Sequence, residues 1–416
     1  MSTIVVFEDS GYRKLLPLVY SRPVYELKCG MSTLREKISR RYPSLKTVLF
    51  CRSYLSDITA NETGLSVNKT VKDDCLFING RILMKETIPL KGGEEIGVMD
   101  GTVVYARLAA SNCRGINSGT VLSGKAWEKL GKDVKTKKVK HEFINNSWDI
   151  TGFNTAEITR DFDETVKKPA IKGKVYPGVH LLNKSRIHIG EGSTVKPGVV
   201  LDAEEGPIYI GKNVKVLPTA VIEGPASIDD SSIIRIGAQI REGSSIGKVC
   251  RVGGEVEESI IHGYSNKQHL GFLGHAYVGK WCNMGADTNN SDLKNNYSTV
   301  KVYSDGEFTD SGIRFVGLTM ADHTKTGIGT MFDTGTVVGF SVNVYGAGLQ
   351  PKFIASYSWG GLKGVVPYDA GKAIKTAKIV MSRRKVEMTD AEEKLFHKIH
   401  KLTEQERKNF IQQLRF

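Results

Sequence analysis

An aliphatic residue recurs every six positions through the middle of the chain. Ile210, Val216, Ile222, Ile228, Ile234, Ile240, Ile246 and Val252 hold the interval, and Ile189, Val195 and Leu201 hold it upstream. A helix repeats at about 3.6 residues and a strand at about two, so neither element alone explains the pattern. One flat side of a three-sided coil does: a short strand and a turn, with one aliphatic side chain aimed at the axis. Glycine often follows, as in Ile189-Gly190, Ile210-Gly211 and Ile246-Gly247. It reads as a residue that permits tight turning at positive φ. Stacked coils bury a continuous aliphatic column that no single coil can bury. The expectation is a left-handed parallel β-helix from about Lys174 to Gly361. The period lapses near Val256–Leu273 and Asn289–Arg314, and resumes at Val278, Met284, Val338 and Val344. Such lapses predict loops thrown out from one edge of the scaffold, where function commonly sits.

The β-helix leaves a front third to explain, and 416 residues is too long for one ordinary core. A formal net charge of +13 favours anionic ligands. Seven lysines lie between Lys125 and Lys140, with Trp127 as the sole aromatic among them. That segment reads as a solvated helix face or a connecting arm, with contact to an acidic partner as the alternative; no nucleic-acid motif surrounds it. None of the six cysteines forms a C-x-x-C pair, which argues against a disulfide framework or zinc site. No apolar run reaches ~18 residues, so no membrane span is expected. The N-terminus MSTIVVFEDSGYRK gains charge too early for a signal peptide, and a cytoplasmic location follows by elimination.

The run His269-Leu-Gly-Phe-Leu-Gly-His-Ala-Tyr-Val-Gly-Lys-Trp-Cys-Asn-Met-Gly-Ala-Asp-Thr288 carries a resemblance. It is similar, without a gap, to the acetyltransferase core of the bifunctional N-acetylglucosamine-1-phosphate uridylyltransferase / glucosamine-1-phosphate N-acetyltransferase family. That family's pattern runs H-L-T-Y-L-G-D-A-x-I-G, then N-I-G-A-G-T, then N-Y. The resemblance implies that His269 is the general base. The chemistry agrees, because an amine attacks a thioester only as the free base and an imidazole suits the proton transfer. It further implies sugar-phosphate contacts from Arg235, Asn283 and Lys301, acetyl-CoA contacts from Asn296 and Tyr297, and a homotrimer. Two departures bear on the sugar: Glu257 stands where the family has a lysine, and Phe272 replaces a tyrosine. Arg251 is the candidate to replace the missing cation. His269 and His275, six apart, also admit a metal reading with His323 as third ligand.

Residues 1–165 read as an α/β domain with buried-strand patterns at Thr3–Phe7, Thr47–Phe50 and Cys75–Ile78. Phe7-Glu-Asp-Ser-Gly-Tyr-Arg13, then Arg22-Pro23, resembles the nucleotidyltransferase opening L-A-A-G-x-G-T-R. The resemblance makes Gly11, Arg13 and Arg22 nucleotide contacts and, through Ile116-Asn-Ser-Gly-Thr120, adds Asn117. Backbone N–H groups before a helix suit a phosphate. Asn79 stands at the family's magnesium-binding aspartate, and Asn154 at its second metal-side residue; amides are poorer magnesium ligands than carboxylates. Thr389-Asp390-Ala-Glu392 marks a helix start in a tail at 381–416 that caps the open end of the solenoid.

The domain reading is therefore 1–165 nucleotidyltransferase-like, 166–380 β-helix acyltransferase and 381–416 helical tail. Acetyl-CoA is the expected co-substrate, with Mg2+ and a nucleoside triphosphate at the front domain. The partners expected are small molecules, with neither nucleic acid nor membrane. The function expected is acetylation of an amino sugar 1-phosphate coupled to nucleotidyl transfer. The rivals are an acyltransferase acting on a nucleotide sugar above an inactive front domain, and a scaffold that binds sugar nucleotides without turnover.

Overall fold

The computed structural model describes residues 1–414. They form two compact units, one of Met1–Leu27 with Ser32–Asn146, the other of Lys28–Met31 with Ser147–Phe416. The first contains a seven-stranded mixed sheet ordered Ser66–Val67, Lys46–Phe50, Thr3–Phe7, Cys75–Asn79, Thr102–Leu108, Glu95–Met99, Thr136–Lys138. Thr3–Phe7 is buried throughout and pairs in parallel with both neighbours, which is why it reads as an unbroken apolar run. Phe7 and Phe77 pack on Trp127, with ring centroids 5.2 and 5.7 Å away. The lysine-rich segment thus splits. Lys125–Leu130 is a helix that buries Ala126 and Trp127, and Thr136–Lys138 is an exposed edge strand. Lysines there discourage pairing with another chain.

The second unit is a left-handed parallel β-helix closed by helices. Three parallel sheets form its sides. Val216 faces Ile234 and Ile234 faces Val252, eighteen residues on each time, so one coil is three six-residue sides. Along another side Ile210, Ile228, Ile246, Ile261 and Val278 stack as a buried column.

The glycines after the aliphatic residues differ from expectation. Gly190, Gly211 and Gly247 are absent from the positive-φ positions. A Cβ on Gly247 would stand 2.0 Å from the His262 carbonyl oxygen, and one on Gly190 2.5 Å from that of Gly211. Close stacking of the next coil, not backbone handedness, excludes a side chain. Left-handed corners fall instead to residues such as Asn213, Thr219, Ser231 and Val249.

The helix Ser147–Thr165, read from sequence as part of the front domain, belongs to the second unit. It packs on the strand Ser244–Ile246 and on the segment Lys28–Cys29. The C-terminal helical region begins at Ala370 rather than near 381, with helices Ala370–Ser382, Asp390–Leu402 and Glu404–Gln413. Thr389 does start a helix. Its hydroxyl accepts from the Glu392 N–H at 3.2 Å and the Glu392 carboxylate accepts from the Thr389 N–H at 2.7 Å. Phe410 and Ile411 close on the aliphatic core of the coils.

Candidate active site

His269 follows a coil strand whose inward position is a lysine. Val252 pairs with Lys267 where the column calls for an aliphatic residue. The Lys267 side chain is buried, and its ammonium donates to the carbonyl oxygens of Gly253 at 3.1 Å and His269 at 3.0 Å. Burial pushes this amine down to about 8. The ammonium thus tethers the backbone of His269, while the His269 side chain is exposed. Arg235 is half-buried on a neighbouring rung: its N–H donates to Val252, and the Gly253 N–H to Lys267.

The outward positions of the same ladder run Arg251, Asn266, Asn283, Lys325. They line a cavity of about 330 Å³ with Gln268, the residue before His269, and with Arg383 and Arg384 beyond the helix Ala370–Ser382. Arg384 donates to the Asn266 side-chain oxygen at 2.8 Å, and the Asn266 amide donates to the Asn283 oxygen at 3.2 Å. Asn283 is thereby oriented with its own NH2 available to a ligand.

Lys301, Asn296 and Tyr297 lie elsewhere. Lys301 is exposed and opens a hairpin, Lys301–Ser304 with Glu307–Asp310, whose first strand buries Val302 and whose second is exposed. Asn296 accepts from the Ser298 N–H at 3.1 Å in the loop before it, and Tyr297 is 64% exposed. Among the described residues no hydrogen bond ties these three side chains to His269. His275 is held by Asp292, Nδ1 to Oδ2 2.8 Å, and stacks on Phe315. His323 is buried against the rings of Trp281 and Phe396. Among the described residues no cluster of His, Cys, Asp and Glu is placed to hold a metal, so the three-histidine reading fails.

In the first unit, Asp9 and Asn79–Arg81 follow the carboxyl ends of adjacent parallel strands at the point where strand order reverses, where α/β sheets bind ligands. A cavity of about 240 Å³ opens there, lined by Asp9, Ser10, Thr102, Ser123, Trp127 and Glu128 among others. Asp9 caps the turn Ser10–Leu15 by accepting from the Gly11 N–H at 3.1 Å. It also takes the Arg81 guanidinium at 2.8 and 2.6 Å. A Cβ on Gly11 would stand 2.4 Å from Arg81, so Gly11 is needed for this pair. Arg13 is exposed and Asn117 caps the helix Ser118–Leu122. Arg22 is buried and bonds the Leu18 carbonyl at 3.2 Å, which corrects its reading as a phosphate ligand.

The two metal-side asparagines are also corrected. Asn79 is fully buried, donates to Asp9 and Val103 and accepts from the Arg81 N–H. Asn154 belongs to the second unit, where it accepts from the Gly30 N–H at 2.6 Å and donates to Gly243 at 2.7 Å and Ser245 at 3.0 Å. Both amides are spent on protein partners, and the one carboxylate beside Asn79 is neutralised by Arg81. This donor set does not fit Mg2+.

Residues 4–168 match the family of sugar nucleotidyl transferases. The likeness is confined to that front segment, less than half of the chain. Among curated proteins, the bifunctional protein GlmU of Thermotoga petrophila is 26% identical over 223 residues, 48% of each chain. That of Rippkaea orientalis is 35% identical over 118 residues, 27% of this chain and 24% of its own. The chain spans about half or less of the length of these relatives, and they are distant homologues. A solved UDP-N-acetylglucosamine acyltransferase from Arabidopsis aligns at 12% identity and a TM-score of 0.24, over 59% of this chain and 93% of its own. The fold assignment rests on the strand ladders themselves.

Sequence reasoning missed Lys267, Lys325, Arg383, Arg384, Asp9 and Arg81. Adjacent arginines just past a helix were a usable signal. A lysine inside an aliphatic column was not, because the period had already lapsed there.

Proposed function

We propose that the β-helix transfers an acetyl group from acetyl-CoA to the amine of an amino sugar 1-phosphate, with glucosamine-1-phosphate as the acceptor. The observation that supports this most is the cavity lined by Gln268, the residue before His269, where Asn283 meets cations that suit a phosphorylated sugar. In the reaction, His269 takes a proton as the amine nitrogen attacks the thioester carbonyl carbon. A backbone N–H shares the charge developing on the oxygen. The C–S bond then breaks, and the proton held by His269 passes to the departing sulfur. Arg235, Lys301, Asn296 and Tyr297 are assigned to the sugar phosphate and acetyl-CoA as the resemblance implies, in a homotrimer. Thiol release from acetyl-CoA with glucosamine-1-phosphate tests the reading. His269→Ala is expected to abolish release while acetyl-CoA still binds; a silent wild-type chain would sink the assignment.

A second assignment of the base is favoured by one observation. His275 has the carboxylate partner that orients an imidazole, and among the described residues the His269 side chain has none. If Asp292→Asn and His275→Asn abolish thiol release while His269→Ala does not, the base is His275.

For the front unit we propose formation of UDP-N-acetylglucosamine from the acetylated product, with Gly11, Arg13 and Asn117 at the nucleotide. The Asp9–Arg81 pair in the expected phosphate cradle favours the alternative of binding without transfer. Exchange of labelled pyrophosphate into UTP, dependent on N-acetylglucosamine-1-phosphate, separates the two.

A further inference from the structure

The cavity between the outward ladder and the end of the helix Ala370–Ser382 has an unusual charge balance. Its lining includes Arg251, Lys325, Arg383 and Arg384, and no carboxylate among the described residues. Among the described residues none of the three arginines forms an ion pair there. Elsewhere this unit pairs its cations readily: Arg241 meets Glu223, Glu242 and Glu255, Arg186 meets Asp163, and Lys378 meets Glu393. Like charges gathered without a counter-charge raise the energy of the empty site, and an anion removes that penalty.

The electrostatics of the cluster agree. Burial, then the neighbouring Arg251 and Arg383, hold the Arg384 guanidinium below its usual range. Burial pushes Lys325 down to about 8, and its ammonium donates to the His323 carbonyl at 2.8 Å. The carboxyl end of the helix contributes about half a negative charge, which one of the arginines more than offsets. The neutral partners are placed as well. Arg384 orients Asn266 and Asn266 orients Asn283, so an amide NH2 faces the same space as the guanidinium groups.

We propose that this cavity is a phosphate seat, in which Arg251, Arg383 and Arg384 hold the phosphoryl oxygens and Asn283 donates from the side. Arginine forks suit phosphate because two parallel N–H donors match two of its oxygens. The seat itself stands apart from the acetyl-transfer reading; which molecule brings the phosphate rests on that reading. An amino sugar 1-phosphate and the phosphates of coenzyme A share the chemistry.

Calorimetric titration of the full chain with inorganic phosphate tests the seat without turnover. Glucosamine-1-phosphate and adenosine 3′,5′-bisphosphate are then titrated separately. Wild-type protein is expected to bind phosphate, and Arg384→Gln and Arg251→Gln each to weaken binding about tenfold or more. Arg241→Gln, on another face, is expected to leave it unchanged. Arg383→Gln serves if Arg384→Gln alters the melting profile. Stronger binding of the sugar phosphate, lost in these variants, assigns the seat to the acceptor; stronger binding of the bisphosphate, lost likewise, assigns it to coenzyme A. No phosphate binding by the wild type, or equal binding by all variants, overturns the proposal. Phosphate binding without thiol release would leave the seat standing and remove the acetyl-transfer reading; thiol release with binding indifferent to the arginines would do the reverse.

Discussion

The ammonium of Lys267 donates to the carbonyl oxygen of His269 at 3.0 Å from inside the coil. A lysine in an aliphatic column is expensive, and burial accordingly pushes its pKa from 10.5 down to about 8. The sign follows from proton counting. Between about 8 and 10.5 the unfolded chain binds the proton that the folded chain has lost, so stability rises with pH across that window. Below 8 the full penalty, on the order of 3 kcal/mol, is present. Lys267→Met removes it together with the tether. In urea titrations the stability difference, Lys267→Met minus wild type, should be most positive below pH 8 and shrink towards pH 10.5. A difference flat in pH would refute a depressed amine at this position. Thiol release should fall in the same variant, because the His269 backbone loses its anchor.

In the first unit Arg52 meets Glu8 at 3.0 and 3.1 Å, both buried, and also bonds the Val19 and Arg22 carbonyls. The pair fastens the segment after the first strand. Glu8→Gln leaves a buried guanidinium uncompensated and should cost about 3–5 kcal/mol. Glu8→Gln combined with Arg52→Met should recover much of that, and a double-mutant cycle in urea measures the recovery.

Asn154 is a connector and not a metal ligand. Asn154→Ala strips partners from the Gly30 N–H and the Gly243 carbonyl, both in the interior. A loss of about 2–4 kcal/mol is expected by thermal unfolding. Any effect of magnesium on the protein should be the same in wild type and variant.

Glu406 is raised to about 6 by burial, and the Tyr303 hydroxyl donates to it at 3.4 Å. A raised carboxyl contributes stability that is full below its unfolded value and is lost as pH climbs through 6. Glu406→Gln should therefore be more stable than wild type at pH 7.5, by about 1 kcal/mol after allowing for partial exposure. The gain should vanish below about pH 4. Melting temperatures at the two pH values suffice.

The coils were legible because the period of six is imposed by one inward side chain per face. Even so, the role of the glycines was not. Sequence places Gly247 after Ile246 but does not show that the His262 carbonyl lies over it. The cap at Thr389 was legible, since both of its partners are three residues apart. Asn154 was not, because its partners Gly30 and Gly243 are 124 and 89 residues away. The phosphate cavity escaped for the same reason: Arg251 and Arg384 are brought to one face only when the chain has wound through five more rungs and returned as a helix. In the front unit the motif residue Gly11 was found, yet its use is to admit Arg81, a residue that no local pattern connects to it.

Lys28–Met31 sits in the second unit although more than a hundred residues of the first follow it in the chain. The Lys28 N–H donates to the Tyr277 hydroxyl, its ammonium pairs with Asp229, and Gly30 gives its N–H to Asn154 and its carbonyl to Ser245. The β-helix is therefore not a fragment that one cut can release. A chain beginning at Ser147 would expose an acid, a tyrosine hydroxyl, an amide and a serine that have peptide against them here, and would need a four-residue segment supplied from elsewhere to be whole.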